Sequence, residues 1–262
     1  MPLPASIKVV FSFFARMSLR NRRTRLLLAT AFIPVVILVV FHLVAISTGA
    51  AKSGAVLFRQ MAVPFLFQLY IPLMGLLGGS ACVGDEVDQR TLVYLTTRPV
   101  GKPAILLGKA AAQSLIALAI VISTLALSFI LGFGKFVLTP EGLGRLGQYL
   151  LAGGLATLAY TTLFVLFGTL LKKPVIAGII YIFGWEYVVQ FIPGSTQKLT
   201  ISHYVKSLLP YKSSGGGFLM FQLEPSSVLH AAVVLLILFV LFLAVSARIF
   251  KSREYVLSEP RI

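Results

Sequence analysis

Six stretches of this chain are apolar for long enough to cross a lipid bilayer, at about 26–47, 61–83, 104–133, 148–171, 174–192 and 228–249. A helix rising 1.5 Å per residue needs about 20 apolar residues to cover the hydrocarbon core. Backbone N–H and C=O groups find no water there, so the segments must be helical throughout or close into a barrel. Runs this long and unbroken predict helices. The fold class expected is all-α, a polytopic transmembrane bundle of about six spans, forming a single transmembrane domain over residues 1–262. Hydrophobic residues make up 58% of the chain and charged residues 12%, which leaves too little polar surface for a soluble domain of this size.

The charge that is present is one-sided. There are 23 Lys and Arg against 8 Asp and Glu. With six spans both termini lie on one side, and that side collects sixteen of the basic residues, seven facing the other. Cytoplasmic loops carry the excess of Lys and Arg, so both termini are expected in the cytoplasm. The positive charge flanks the spans and suits anionic headgroups; no separate basic groove points to nucleic acid. The partner of this charge is membrane lipid.

Between the spans, three segments carry pattern. In residues 5–19, Ile7, Val10, Phe11, Phe14 and Met17 recur at helical spacing, with Lys8, Ser12 and Arg16 off that stripe. This predicts an amphipathic helix in the membrane interface, continuing into a basic stretch to residue 25. No small-residue cleavage site comes after it, so no removable signal peptide is expected. Residues 85–99 predict a short cytoplasmic helix: Gly84 breaks the preceding span, Asp85 caps, Glu86 and Arg90 pair four residues apart, and Arg98 and Pro99 close it. Residues 193–227 form the longest connection, extracytoplasmic in this topology, with a short surface helix expected at TISHYVKSLL. A polar loop carrying Lys135, Glu141 and Arg145 is expected ahead of the fourth span.

Within the spans the candidates for function are few. Gly75 and Gly79 form GxxxG, a spacing that lets two helix backbones approach. Glu186 is the one acid inside a predicted span, between Trp185 and Tyr187. It reads either as a contact for substrate or helix packing inside the bundle, or as an interfacial carboxylate reaching water or a lysine. Cys82 is the sole cysteine, so neither an intrachain disulfide nor a thiol metal site is available. His42, His203 and His230 are scattered and there is no HExxH, so no metal site is expected. GxSxG and Walker A patterns are absent: Gly101-Lys102 is followed by Pro103 and Gly134-Lys135 by Phe136. Any ATP must be bound by another chain, and no catalytic residue or cofactor is expected in this one. No internal repeat is visible, which weighs against inverted-repeat carriers.

The stretch DEVDQRTLVYLTTRPVGKPAILLGK resembles the cytoplasmic loop of ABC type-2 permeases, the membrane subunits of ATP-binding-cassette exporters. The matching residues are Glu86, Thr91, Leu92, Leu95, Arg98, Pro99, Val100, Gly108 and Lys109; Arg90 stands where the family commonly has Gly. The run from Trp185-Glu186 to Ser202-His203-Tyr204 also resembles family members. The resemblance implies a permease subunit in a prokaryotic cell membrane, paired with a second permease chain as homodimer or heterodimer. A separate ATPase would hold ATP and Mg. Residues 5–25 would be the elbow helix, and 85–99 the coupling helix. Glu86, Arg90, Thr91, Leu95, Arg98 and Pro99 would face the ATPase. The competing reading is a secondary transporter or channel using Glu186.

Overall fold

A computed structural model describes residues 10–17, 22–47, 56, 58–88, 101–189, 192, 195–210 and 226–252. These are helical almost throughout, with no strand among them. Helix α1 covers 10–17. Helix α2 is Arg22–Ser47 and runs through Pro34. Helix α3 begins as π-helical stretches at Phe58–Ala62 and Phe65–Tyr70 and continues as the α-helix Ile71–Asp88. Helix α4 is Lys102–Phe133, and a 3-10 turn, Gly134–Leu138, leads to α5, Pro140–Leu170. Helix α6 is Pro174–Ile180, widening into a π-helical turn at Tyr181–Glu186. After a 3-10 turn, Ser195–Leu199, come α7, Ile201–Leu208, and α8, Val228–Ser252.

Among the described residues, four helices are long and apolar enough to cross a membrane by length and composition: Phe58–Val83, Pro103–Phe133, Pro140–Leu170 and Val228–Ser252. The first and fifth expected spans appear as shorter apolar stretches, Leu27–Phe41 and Pro174–Glu186, of between 10 and 17 residues. The helix that holds the first of them, α2, has 26 residues and at 1.5 Å per residue reaches about 39 Å, longer than a core of about 30 Å.

Two boundaries differ from the sequence expectation. Helix α3 does not break at Gly84 but continues to Asp88. Glycine lowers helix propensity by only about 1 kcal/mol, which a long preceding helix tolerates. Helix α5 begins at Pro140, so Glu141 and Arg145 belong to it and not to a loop. Thr139 caps it, its hydroxyl accepting the Gly142 N–H at 3.1 Å, with Pro140 in the first turn and Glu141 at the positive end of the helix dipole. Three glycines in EGLGRLG disguised this start.

Helix α5 is the centre of the bundle, packed by α3, α4, α6, α7 and α8, with α3–α5 the most extensive pair. Small residues make that approach possible. A Cβ on Gly75 would lie 2.8 Å from the Tyr160 Cβ and 3.0 Å from the Thr161 backbone N. One on Gly79 would run into the Thr161 carbonyl oxygen and lie 2.9 Å from the Val165 N. Gly168 answers from α5, with the Ser80 carbonyl oxygen 3.2 Å from where its Cβ would be. Two helix backbones therefore touch over more than one turn.

Helix α1 docks on α4. Val10 and Phe14 are buried against Ala112, and the Lys109 ammonium lies 5.1 Å from the centre of the Phe14 ring. Of the expected stripe, Val10 and Phe14 are buried and Phe11 partly so, while Met17 is exposed and Ile7 lies outside the described residues.

Candidate functional site

Charge is scarce inside this bundle, so the place where a carboxylate is buried marks the first candidate. Glu186 ends the π-helical turn of α6 and is only 4% exposed. Its flank Trp185 is 45% exposed, so the tryptophan faces outward while the glutamate turns into the protein. The carboxylate does not reach water. Tyr181 donates its hydroxyl to Oε1 at 2.8 Å. The backbone N–H of Ile201 donates to the same oxygen at 3.0 Å, and that of Ser202 to Oε2 at 3.2 Å. The Tyr160 hydroxyl of α5 also hydrogen-bonds to it.

Ile201 and Ser202 are the first two residues of α7, whose N–H groups have no partner within the helix. Thr200 caps the next position, its hydroxyl accepting the His203 N–H at 3.3 Å. Glu186 and Thr200 thus satisfy three N–H groups of the first turn, and the carboxylate sits at the positive end of the helix dipole. A buried acid of this kind, bonded on both oxygens, fixes one helix to another.

Helix α7 is held at its other side by α8. Ser207 accepts the Ser226 N–H at 3.1 Å, donates to the His203 carbonyl at 2.9 Å, and the His203 Nε2 lies 3.2 Å from the Ser226 hydroxyl. The expected surface helix is therefore buried: Ile201, Ser202, His203, Val205, Ser207 and Leu208 all lie inside, against α5 and α8. Ile201, Val205 and Leu208 recur at helical spacing, a stripe that could have revealed this; Ser202, His203 and Ser207 concealed it by their polarity. Burial pushes the Lys206 amine down to about 8, against the opposing pull of Glu186. Burial also lowers His203, helped by the charges of Lys198 and Lys206.

The second candidate is the connection between α3 and α4. Glu86 lies in the last turns of α3, and Lys109 in the first turns of α4. Arg90, Thr91, Leu95, Arg98 and Pro99 lie outside the described residues, as does most of the helix expected over 85–99. Among the described residues no group of three His, Cys, Asp or Glu is placed to hold a metal.

The family model for ABC-2 family transporter proteins matches residues 19–186, more than half of the chain. The chain belongs to the ABC-2 transporter family. The match takes in the whole 84–109 stretch and ends at Glu186 itself. ABC-2 membrane proteins are transport components that generally partner with ATPase subunits. A comparison with curated proteins returns no match. In this ABC-2 chain, α7 and α8 lie beyond the matched region; α5 packs on both, and Glu186 bonds the first turn of α7.

Proposed function

We propose that this chain is the permease subunit of an ATP-binding-cassette exporter, lining the translocation path and taking its energy from a separate ATPase chain. The observation that carries the reading is the family match across 19–186, which contains the Thr91–Val100 motif between two long apolar helices. The full span count is six, with α2 and α6 as the first and fifth, and the termini and 84–102 in the cytoplasm of a prokaryotic cell. A second permease chain completes the path.

In this reading residues 85–99 form the contact through which closure of the ATPases moves α3 and α4. Helix α3 continues unbroken to Asp88, so force applied beyond that point is delivered along a rigid rod. That rod is in backbone contact with α5 at Gly75 and Gly79, so it cannot move without the centre of the bundle. Glu86, Arg90, Arg98 and Pro99 shape the contact, and Thr91 and Leu95 fill it. A carrier driven through Glu186 fits less well, because both oxygens of that carboxylate are engaged by the fold.

Affinity purification of the full chain from native membranes tests this. A Walker-type ATPase is expected to co-purify, and Glu86→Lys or Arg98→Glu to release it while the permease stays inserted. Recovery of the chain without any ATPase, in wild type as in the variants, would refute the assignment.

A further inference from the structure

The turn that carries Glu186 is wider than an α-helical turn, and its width decides where Glu186 points. In an α-helix two residues five apart lie about 140° from each other around the axis. In a π-helix, whose ring closes from i to i+5, they come to nearly the same face. Tyr181 and Glu186 are five apart, at the two ends of the π-helical turn, and the Tyr181 hydroxyl bonds the Glu186 carboxylate at 2.8 Å. The oxygen that receives the tyrosine also receives the Ile201 N–H. One hydrogen bond therefore fastens the wide turn, and the same carboxylate fastens α7.

Tyr181 is itself held edge-on to Phe164 and Phe167, at 6.2 and 5.8 Å between ring centres. It is a rooted post against which the turn is set. We propose that the Tyr181–Glu186 turn is a register latch: in the π register Glu186 seats α7 in the end of the bundle, and tightening to the α register swings Glu186 away and frees α7. Loss of the extra residue rotates the chain beyond the turn by about 100°, the step of one α-helical residue. That rotation carries the carboxylate off the first turn of α7. The hydrogen bonds through Ser207, Ser226 and His203 keep α7 attached to the last helix while its apolar face comes off α5.

The latch is a property of this chain's fold and does not rest on coupling to an ATPase. It is tested on the purified full-length protein in detergent, with Cys82→Ser removing the natural thiol. Val205→Cys places a reporter on α7, at a side chain 1% exposed, and Leu125→Cys places a control on α4, also 1% exposed. Tyr181→Phe keeps the ring contacts and removes the bond; Glu186→Gln keeps the shape and removes the charge. Each is expected to speed maleimide labelling of Val205→Cys about tenfold, the opening that loss of one such hydrogen bond allows. The double variant is expected to go no further than the faster single, because both act on one latch. The Leu125→Cys control is expected to stay protected throughout. Unchanged labelling of Val205→Cys, multiplied effects in the double variant, or equal opening of both reporters would each overturn the proposal.

Discussion

The Glu186 carboxylate accepts the backbone N–H of Ile201 across fifteen residues of chain, at 3.0 Å. A residue that hydropathy marks as the oddity of the fifth span is thus the anchor of the next helix. Glu186→Ala removes the acceptor for two buried backbone N–H groups, the hydroxyl of buried Tyr160 and that of half-buried Tyr181. Leaving such donors unpaired costs about 1–3 kcal/mol each before relaxation, so a total loss of several kcal/mol is expected. Thermal unfolding of the purified protein in detergent checks this, with Glu141→Ala, exposed at the start of α5, as a substitution that should leave the midpoint nearly unchanged.

Glycine substitutions should separate the α3–α5 contact from ordinary helix. At Gly79 the obstacle is Thr161 and Val165 backbone, which has no rotamer by which to yield. Gly79→Ala is expected to destabilise by about 1–3 kcal/mol, and Gly79→Leu to prevent a folded product. Gly144, in the first turns of α5, has nothing within 4 Å of its would-be Cβ. Gly144→Ala is expected to be neutral or to stabilise by up to about 1 kcal/mol through helix propensity. Unfolding midpoints of the two alanine variants, measured side by side, decide the matter.

Lys206 should report on the burial of α7 through its own titration. Its amine is held at about 8, below the ordinary 10.5, chiefly by burial. A base whose proton affinity is lowered by folding is bound less tightly by protons in the native state. Stability therefore rises as pH climbs from about 8 towards 10.5, and is lower below that window. Acylation of Lys206, monitored by mass spectrometry of the intact protein, should reach half its limiting rate near pH 8. Glu186 opposes the lowering, so Glu186→Gln should move that midpoint to lower pH. A midpoint near the ordinary 10.5 would mean that the amine is solvated and α7 is not seated as described.

The docking of α1 makes a fourth expectation. Phe14→Ala removes the ring that packs with Val10 and Ala112, and over which the Lys109 ammonium sits. Amide hydrogen exchange of residues 10–17 should quicken about tenfold or more, with α5 unaffected. Met17→Ala, at a side chain 48% exposed, should leave exchange unchanged.

Much of the fold was legible because bilayer-length apolar runs admit almost no other reading. The places of α2 to α6 and of α8 are set by hydropathy, and the Gly75–Gly79 spacing marked a face that lies on α5. What could not be read depended on contacts far apart in sequence. Helix α7 looked like a surface helix because its serines and histidine are polar, yet they are buried by bonding to Ser226 and to one another. The widening at Tyr181–Glu186 is fastened by a bond between its own two ends, on a carboxylate that also accepts from Ile201 and Ser202, and no local propensity announces it. The early start of α5 was hidden by glycines, two of which, Gly144 and Gly147, meet nothing within 4 Å. Glu186 illustrates both sides: its oddity was evident from sequence, and its role was visible only once the first turn of α7 was in place.

The proposed role of this chain turns on whether residues 85–99 touch an ATPase. A photo-crosslinking amino acid placed at Leu95 of the full chain, and activated in native membranes, measures this directly. The expected result is a covalent adduct whose second component is a Walker-type ATPase, with no such adduct from the same probe at Leu138, exposed in the 3-10 turn that follows the far end of α4. Adducts from Leu95 to lipid alone, in membranes where the chain is folded and inserted, would contradict it.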